Sequence, residues 1–295
     1  MNESGPAPAP VTDESTPSRP FDEAGEARKD LLTRAISGVV LAGVAVAAAL
    51  FGGWPFVLFW AAAAIGVFWE WAAIVMGGAV AVMAAGIVTL LAVMGAAGLG
   101  HFGAALAALA AGAIAVALSC APRLRAWGAG GALYAGTVLL APVMLRQDAE
   151  LGRIAILFLF AIVWATDIFG YFTGRALGGP RLAHRISPNK TWSGACGGAL
   201  GAVAAGVVVM QITGNAGLIS TACVSLALSI VSQGGDLFES AVKRRFGVKD
   251  ASHVIPGHGG LMDRLDGFLA AAGVAALVGL ARGGTDASAR GLILW

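Results

Sequence analysis

The residues best suited to chemistry in this sequence lie close together, in the stretch from Gly235 to Gly267. This stretch contains five acidic residues, five basic residues and two histidines, whereas the whole chain is only 12% charged. They are Asp236, Glu239, Asp250, Asp263 and Asp266; Lys243, Arg244, Arg245, Lys249 and Arg264; and His253 and His258. Charge at or near a lipid bilayer is costly unless it is paired or bound to a ligand. We therefore expect this stretch to have a chemical role.

The spacing of these residues predicts a site for phosphate groups and a hard divalent cation. On a helix, residues separated by three, four, seven and eight positions share one face. Such a face is predicted for Asp236, Glu239, Ser240, Lys243 and Arg244. Asp263 and Asp266, three positions apart, share a second face. Carboxylates from two helices, combined with substrate phosphates, are ligands that suit Mg²⁺.

A glycine-rich turn, from Pro256 to Gly260, separates the two predicted helices. Its three glycines expose backbone N–H groups, which can cradle an anion. The surrounding lysines and arginines are natural partners for phosphate. Together these features indicate metal-assisted phosphoryl or nucleotidyl transfer. The alternative interpretation is a solvated loop beside the membrane, which is basic only because it faces the cytoplasm.

A second group of polar residues lies between residues 164 and 198. Asp167 falls inside an apolar span, where a carboxylate is a candidate functional residue unless it belongs to a buried structural pair. Lys190 follows a turn-forming Ser-Pro-Asn sequence and precedes two candidate caps of the next helix, Thr191 and Ser193. The positive N-terminal end of that helix would bind a phosphate together with Lys190. Glu70 is the other acid in an apolar run, and we interpret it as structural.

Composition predicts an all-α polytopic membrane protein as the framework for these groups. The chain is 58% hydrophobic and has a mean hydropathy of +0.80. Soluble domains carry about 25% charged residues, about twice the share found here. A membrane-spanning helix needs about 20 apolar residues. Nine candidate spans meet or approach this length: 36–52, 54–76, 79–99, 102–121, 127–145, 154–174, 194–213, 217–235 and 265–282.

The distribution of lysine and arginine predicts the orientation of these spans. With the N-terminus in the cytoplasm and the C-terminus outside, fifteen of the 19 basic residues fall on the cytoplasmic side, as the positive-inside rule requires. We expect a disordered cytoplasmic tail at 1–30, an N-terminal transmembrane region of about four spans at 31–126, and a catalytic transmembrane region at 127–295. The two polar groups then lie in cytoplasmic loops at 175–193 and 236–264.

The motifs of both polar groups resemble those of the phosphatidate cytidylyltransferases, also called CDP-diacylglycerol synthases. The signature of that family is a serine, then Lys-Arg, Lys-Asp, a Pro-Gly-His-Gly-Gly-like turn and Asp-Arg-x-Asp. The matching elements are Ser240, Lys243-Arg244, Lys249-Asp250, Pro256 to Gly260, and Asp263-Arg264-Leu265-Asp266. Two further segments of the family are matched by Thr166-Asp167, Tyr171, Gly174-Arg175 and Ser187 to Gly194. The resemblance covers residues 130–285 or so, and Ser193 stands where many relatives have Glu.

The resemblance implies that a cytidylyl group is transferred from CTP to phosphatidate, which yields CDP-diacylglycerol and pyrophosphate and depends on Mg²⁺. The implied metal ligands are Asp236, Asp263 and Asp266, and the implied catalytic residues are Asp236, Asp263 and Lys190. The implied substrate-binding residues are Lys190, Ser240, Lys243, Arg244, Lys249, His258, Gly259, Gly260 and Arg264, with Asp167, Glu239 and Asp250 as further candidates. A second, monovalent cation such as K⁺ is also an expectation for this family.

The resemblance also implies where the protein acts. The expected partners are CTP, phosphatidate and membrane lipid, without nucleic acid, and a homodimer is one expected assembly. The expected location is the cell (inner) membrane, with the active site facing the cytoplasm. Two other classes stay open: a different lipid phosphotransferase, although the CDP-alcohol phosphotransferase pattern is absent, and a transporter that uses Asp167 and Glu70 as ion-coupling carboxylates. Transport sites lie near the membrane midplane, whereas most of the charge here falls in predicted loops.

Overall fold

The computed structural model describes residues 20–214, 217–252, 254 and 259–295, with side chains described from residue 36 onward. Within those residues the chain forms ten α-helices, one 3₁₀ turn and one short β-hairpin. The helices are α1 (Pro20–Phe51), α2 (Gly53–Met76), α3 (Val80–Gly98), α4 (Phe102–Ser119), α5 (Arg125–Gln147), α6 (Gly152–Leu177), α7 (Trp192–Thr213), α8 (Leu218–Arg245), α9 (Met262–Gly283) and α10 (Ser288–Ile293). The 3₁₀ turn is Pro122–Leu124, and strands β1 (Arg181–Ala183) and β2 (Ser187–Thr191) pair antiparallel.

Eight helices of the described chain, α2 to α9, are long and apolar enough to cross a membrane. The apolar part of α1, Ile36–Phe51, is shorter than these eight. At most of their ends, the helices and the predicted spans differ by only a few residues. The agreement is close because an uninterrupted apolar run marks each membrane-spanning helix in the sequence. The prediction of an all-α polytopic membrane protein is therefore confirmed.

Two predicted segments differ from the helix bounds of the structure. Helix α1 begins at Pro20, so part of the segment 1–30, predicted to be a disordered tail, is helical, and residues 1–19 lie outside the described residues. Proline is accepted in the first turn of a helix, and the residues that follow it include many Glu, Ala, Arg, Lys and Leu, which favour helix. Helix α8 continues to Arg245, so the predicted loop 236–264 begins as a helix.

Helix α8 is longer than the hydrocarbon core of a bilayer is thick. A helix of 28 residues is about 42 Å long at 1.5 Å per residue. The hydrocarbon core of a bilayer is only about 30 Å thick. The charged last turns of α8 therefore project beyond the apolar layer while the backbone hydrogen-bond ladder continues. The other predicted loop, 175–193, contains the end of α6 and the β-hairpin.

Consecutive long helices run antiparallel, so their termini gather at two ends of the bundle. At the hairpin end, where β1 and β2 lie, the Trp71 indole N–H donates to the Trp127 carbonyl over 3.0 Å and joins the end of α2 to the start of α5. At the α10 end, Gln147 Nε2 donates to the Ala97 carbonyl (2.7 Å), and Arg146 Nε donates to the Ala49 carbonyl (2.7 Å). These contacts bring the ends of α1, α3 and α5 together. Helix α9 starts at the hairpin end and finishes beside α10.

The packing of α7 on α6 is close because glycines face each other across the interface. A side chain at Gly194 would place its Cβ 2.8 Å from the Gly170 carbonyl oxygen, and one at Gly198 would come within 2.6 Å of the Thr166 carbonyl oxygen. Small residues allow helix backbones to approach in this way within a membrane. The start of α7, and with it Lys190, is consequently held against the half of α6 that carries Asp167.

Candidate active site

The first element of the site is an ion pair between Lys190 on β2 and Asp236 on α8. Lys190 is held in place by the hairpin and by the start of α7, where the Thr191 hydroxyl accepts a hydrogen bond from the Gly194 N–H over 3.1 Å. Thr191 is thus the N-cap, one of the two candidates that the sequence predicted. The lysine and the aspartate are each about one-third exposed, so a ligand can reach both. The structure brings together two residues that are 46 positions apart in the sequence.

The second element is a buried three-membered network between α8 and α9. The Lys243 ammonium pairs with Glu239 Oε2 at 2.9 Å, one helical turn away, and with Asp263 Oδ1 on α9. The side chains are 12%, 2% and 12% exposed, respectively. Because buried charges are tolerated only when they are paired, this network holds the two helices in one register.

The second oxygen of Asp263 binds the backbone of the segment between α8 and α9. Its Oδ2 accepts hydrogen bonds from the Ala251 N–H (3.1 Å) and the Gly260 N–H (3.0 Å). A Cβ at Gly260 would lie 2.7 Å from the Ala251 Cβ and 3.0 Å from Asp263 Oδ2, so the turn requires glycine there. Gly259 needs glycine for another reason, since its φ is +78°. The Gly260 N–H donates to Asp263 in this structure, and the expected phosphate contact of this turn stays a prediction.

Glu70 on α2 completes the same region from the N-terminal half of the chain. It is 1% exposed, and its oxygens accept hydrogen bonds from the Ser252 hydroxyl (2.5 Å), the Leu261 N–H (2.8 Å) and the Met262 N–H (2.6 Å). The sequence indicated only an acid in an apolar run between two tryptophans. The structural interpretation of Glu70 is correct, but its location next to the charged network was missed.

Two more carboxylates, Asp167 and Asp266, and one arginine, Arg264, belong to the same electrostatic environment. Asp167 on α6 interacts through charge with Asp236, Lys190 and Arg264, and Asp266 on α9 interacts with Asp236, Asp167 and Lys190. Asp266 Oδ1 also accepts a hydrogen bond from the Gly267 N–H at 2.7 Å. Within the described chain no three His, Cys, Asp or Glu side chains form a group able to hold a metal ion. Lysine ammonium groups lie against Asp236 and Asp263, two of the three predicted ligands.

The remaining predicted substrate-binding residues fall into two sets. Arg244, Lys249 and Asp250 are exposed at and after the end of α8 and make no ion pair with other described residues, so they are open to an approaching ligand. Ser240 is half-buried on α8 beside them. His258 lies outside the described residues, as do Pro256 and Gly257 of the same turn and His253 before it.

Sequence reasoning did not anticipate Tyr134, which lies on α5 at the edge of the network. Its hydroxyl is buried and has no hydrogen-bond partner among the described residues, and it interacts electrostatically with Asp266, Glu239, Asp236 and Asp263. Its ring packs beside Trp71, with centroids 5.2 Å apart. Glu239 Oε1 is likewise buried without a described partner. An isolated tyrosine in an apolar run carries no sequence signal of such a position.

Comparison with known proteins agrees with the resemblance seen in the motifs. The profile of the cytidylyltransferase family matches residues 32–281. A phosphatidate cytidylyltransferase of Brucella abortus (strain 9-941) is 55% identical over 155 residues, which is 52% of this chain and 57% of that protein. The phosphatidate cytidylyltransferase of Haemophilus influenzae is 38% identical over 145 residues (46% and 49%), and that of Bacillus subtilis is 37% identical over 140 residues (47% and 52%).

The chain spans about half the length of the curated relatives it matches. The family profile, in contrast, extends from α1 to the last turns of α9 and includes every helix that contributes to the network. The chain belongs to the cytidylyltransferase family.

Proposed function

We propose that this protein transfers a cytidylyl group from CTP to phosphatidate, which gives CDP-diacylglycerol and pyrophosphate. The observation that carries the proposal is the charged network at the hairpin end, where Lys190–Asp236 and Lys243–Glu239–Asp263 lie together at one end of an apolar bundle. A reaction between a lipid and a nucleotide needs a polar site of this kind beside a membrane-embedded surface. The names of the three relatives give the same activity for those proteins.

The proposed reaction depends mainly on bringing two polyanions together. An oxygen of the phosphatidate phosphate forms a bond to the α-phosphorus of CTP, while the bond from that phosphorus to the β-phosphate oxygen breaks and pyrophosphate leaves. The attacking oxygen is already anionic, so no strong general base is needed. Phosphoryl transfer of this kind is accelerated by positioning and by charge neutralisation. Lys190 and Lys243 supply positive charge within the network, and Arg244 and Lys249 supply it at the exposed entrance.

The carboxylates suit a magnesium ion in their chemistry. Five carboxylates interact with only three basic side chains in the network: Asp167, Asp236, Glu239, Asp263 and Asp266 with Lys190, Lys243 and Arg264. No three of these side chains converge within the described chain, and lysines lie against Asp236 and Asp263. The all-oxygen donor set nevertheless has the chemistry that a hard divalent cation prefers, and Asp236, Asp263 and Asp266 are the proposed ligands. When bound, Mg²⁺ would offset charge on the α-phosphate and on the leaving pyrophosphate. A second, monovalent cation such as K⁺ is part of the same proposal.

The proposed orientation has the hairpin end in the cytoplasm of a cell membrane. From residue 36 onward, the basic residues at the hairpin end are Arg123, Arg125, Arg175, Arg181, Arg185, Lys190, Lys243, Arg244, Arg245, Lys249 and Arg264, and those at the α10 end are Arg146, Arg153, Arg282 and Arg290. This asymmetry supports a cytoplasmic site, where CTP is available. Phosphatidate would then enter sideways from the inner leaflet. Helices α7 and α8, the least buried spans, leave apolar faces for lipid or for a second copy in a homodimer.

The test is pyrophosphate release from CTP by the purified protein in lipid nanodiscs. We expect release only when phosphatidate and Mg²⁺ are both present, together with a CDP-lipid product identified by mass spectrometry. Release that does not require phosphatidate would assign the site to another acceptor. Absence of release with CTP, in protein shown to be folded by its thermal transition, would contradict the proposed function.

A further inference from the structure

The start of α9 is fixed by a carboxylate from a distant part of the chain. Glu70 lies near the end of α2, about 190 residues before its partners, and it is almost completely buried. Its Oε1 accepts hydrogen bonds from the Ser252 hydroxyl and the Leu261 N–H, and its Oε2 accepts one from the Met262 N–H. The first N–H groups of a helix have no partner within the helix. Glu70 supplies that partner and also meets the positive end of the helix dipole.

Glu70 and Asp263 hold the same short segment from its two sides. Asp263 accepts hydrogen bonds from the Ala251 and Gly260 N–H groups. Glu70 accepts hydrogen bonds from the Ser252 hydroxyl and from the N–H groups of Leu261 and Met262, which directly follow Gly260. Gly260 lies between the two carboxylates, since a Cβ there would be 3.0 Å from an oxygen of each. The connection from α8 to α9 is therefore tied to α2 as well as to the charged network.

The chemistry of this arrangement requires a carboxylate. Both oxygens of Glu70 receive backbone N–H groups. A glutamine of the same size has one oxygen and one NH₂ group, so it would turn an N–H donor toward another N–H donor. A buried N–H without an acceptor loses the full energy of its hydration. The arrangement thus discriminates between glutamate and its neutral isostere.

We propose that Glu70 is a positioning residue for the reaction: it sets the first turn of α9, and through it Asp263 and Asp266, relative to Lys243 on α8 and Lys190 on β2. The proposal rests on the proposed function for its catalytic consequence. It also assigns a role to α2, and so to the N-terminal transmembrane region. Because Asp263 is the first helical residue after Met262, a small shift of the Met262 N–H moves the carboxylate directly.

The test compares Glu70→Gln with a matched control at the other end of the bundle. Asp148 is also buried, at 3% exposed, and accepts backbone N–H groups from Leu151 (3.0 Å) and Arg290 (2.9 Å). Asp148→Asn therefore makes the same chemical change at a helix start far from the network. Ser252→Ala is a milder third variant, because it removes one hydrogen bond to Glu70 and leaves both backbone N–H bonds in place.

Hydrogen–deuterium exchange of the purified protein in nanodiscs gives a readout that does not depend on activity. We expect Glu70→Gln to speed exchange of the Leu261 and Met262 amides by about 10- to 100-fold, the factor that corresponds to one lost charge-assisted hydrogen bond. Asp148→Asn should instead speed exchange at Leu151 and Arg290. Unchanged exchange at Leu261 and Met262 in Glu70→Gln would overturn the proposal, whether or not the protein is active.

The kinetic readout separates positioning from general stability. We expect Glu70→Gln to lower kcat by about 100-fold, as for a small misplacement of catalytic groups, with a smaller change in KM for CTP and a higher Mg²⁺ concentration for half-maximal rate. Ser252→Ala should shift both quantities in the same direction by less. Asp148→Asn should lower the thermal midpoint and leave the Mg²⁺ dependence unchanged. The proposal is wrong if Glu70→Gln and Asp148→Asn change kcat and the Mg²⁺ dependence equally; an inactive parent protein would instead count against the proposed function.

Discussion

At both ends of the bundle a buried carboxylate receives backbone N–H groups from the start of a helix: Glu70 at the hairpin end and Asp148 at the α10 end. The surroundings of the two carboxylates differ. At the α10 end three of the four arginines have partners in the described chain: Arg146 donates to the Ala49 carbonyl, Arg282 donates to the Gly291 carbonyl (2.6 Å), and Arg290 pairs with Glu150, while Arg153 is exposed. These contacts join the termini of the helices at that end.

The hairpin end contains the same types of group, but some of its buried polar atoms lack hydrogen-bond partners within the described chain. Within its charged network five carboxyl groups interact with three basic side chains, and two buried polar atoms there, Tyr134 Oη and Glu239 Oε1, lack a hydrogen-bond partner within the described chain. Buried polar groups in native proteins are almost always satisfied. The comparison teaches that the two ends are distinguished by how many carboxyl groups lie close together, since each end contains a buried carboxylate that accepts N–H groups from the start of a helix. Four changes, in order of expected effect, test this distinction.

The largest effect is expected for Asp263→Asn at the hairpin end. The change removes a charge that pairs with Lys243 and is a proposed magnesium ligand, so kcat/KM should fall by at least about 1,000-fold, or roughly 4 kcal/mol of transition-state stabilisation. Pyrophosphate release in nanodiscs measures it, and equal yields of folded protein are the control. Asp148→Asn should keep activity within a few-fold. Near-normal turnover in Asp263→Asn would remove Asp263 from the set of ligands.

The next effect is a loss of stability in Lys243→Met. Without the ammonium group, the Glu239 and Asp263 carboxylates are left buried and facing each other, which should destabilise the fold by about 3–5 kcal/mol. A lower thermal midpoint in nanodiscs measures this loss. The double variant Lys243→Met/Glu239→Gln should regain part of it, because one of the two facing charges is removed. An unchanged midpoint in Lys243→Met would mean that the network is not an internal contact between α8 and α9.

A smaller effect, confined to activity, is expected for Tyr134→Phe. Its hydroxyl has no partner within the described chain, so its removal should leave the thermal midpoint unchanged, whereas the loss of a hydrogen bond to a charged ligand should lower kcat/KM by about 10- to 100-fold. Ser225→Ala is the matched control, since the Ser225 hydroxyl on α8 is also buried without a described partner and lies away from the carboxylates. Equal activity losses in both variants would contradict a ligand contact by Tyr134.

The smallest effect is expected for Glu150→Gln at the α10 end. Glu150 pairs with Arg290 at 2.6 Å, but the two side chains are 69% and 46% exposed. An exposed pair contributes about 0–1 kcal/mol, so stability and activity should both stay close to those of the parent. Parallel thermal-unfolding and pyrophosphate assays measure this. A loss of activity without a loss of stability would show that the two ends are coupled in a way that the contacts do not reveal.

Much of the helical framework could be predicted from the sequence, because a span is a local property. Each long helix corresponds to an apolar run with polar or glycine-rich ends, and the shared face of Glu239 and Lys243 follows from their spacing of four. The motifs also identified the two polar groups that the fold brings together. The apolar pattern ended the eighth span at residue 235, and only the spacing of the charged residues after it indicated the helical face along which α8 continues to Arg245.

The sequence by itself determined the class of protein, the approximate spans and the set of residues available for chemistry. Only the tertiary structure decided which of them meet: Lys190 with Asp236, Lys243 with Asp263, and Glu70 with the start of α9. The physical reason is that spacing fixes the face of one helix, whereas contact between helices depends on how closely they pack and in which register. At the α6–α7 interface the register is set by glycines of α7 that lie directly against the backbone of α6. At the start of α9 it is set by Glu70, a buried carboxylate from α2.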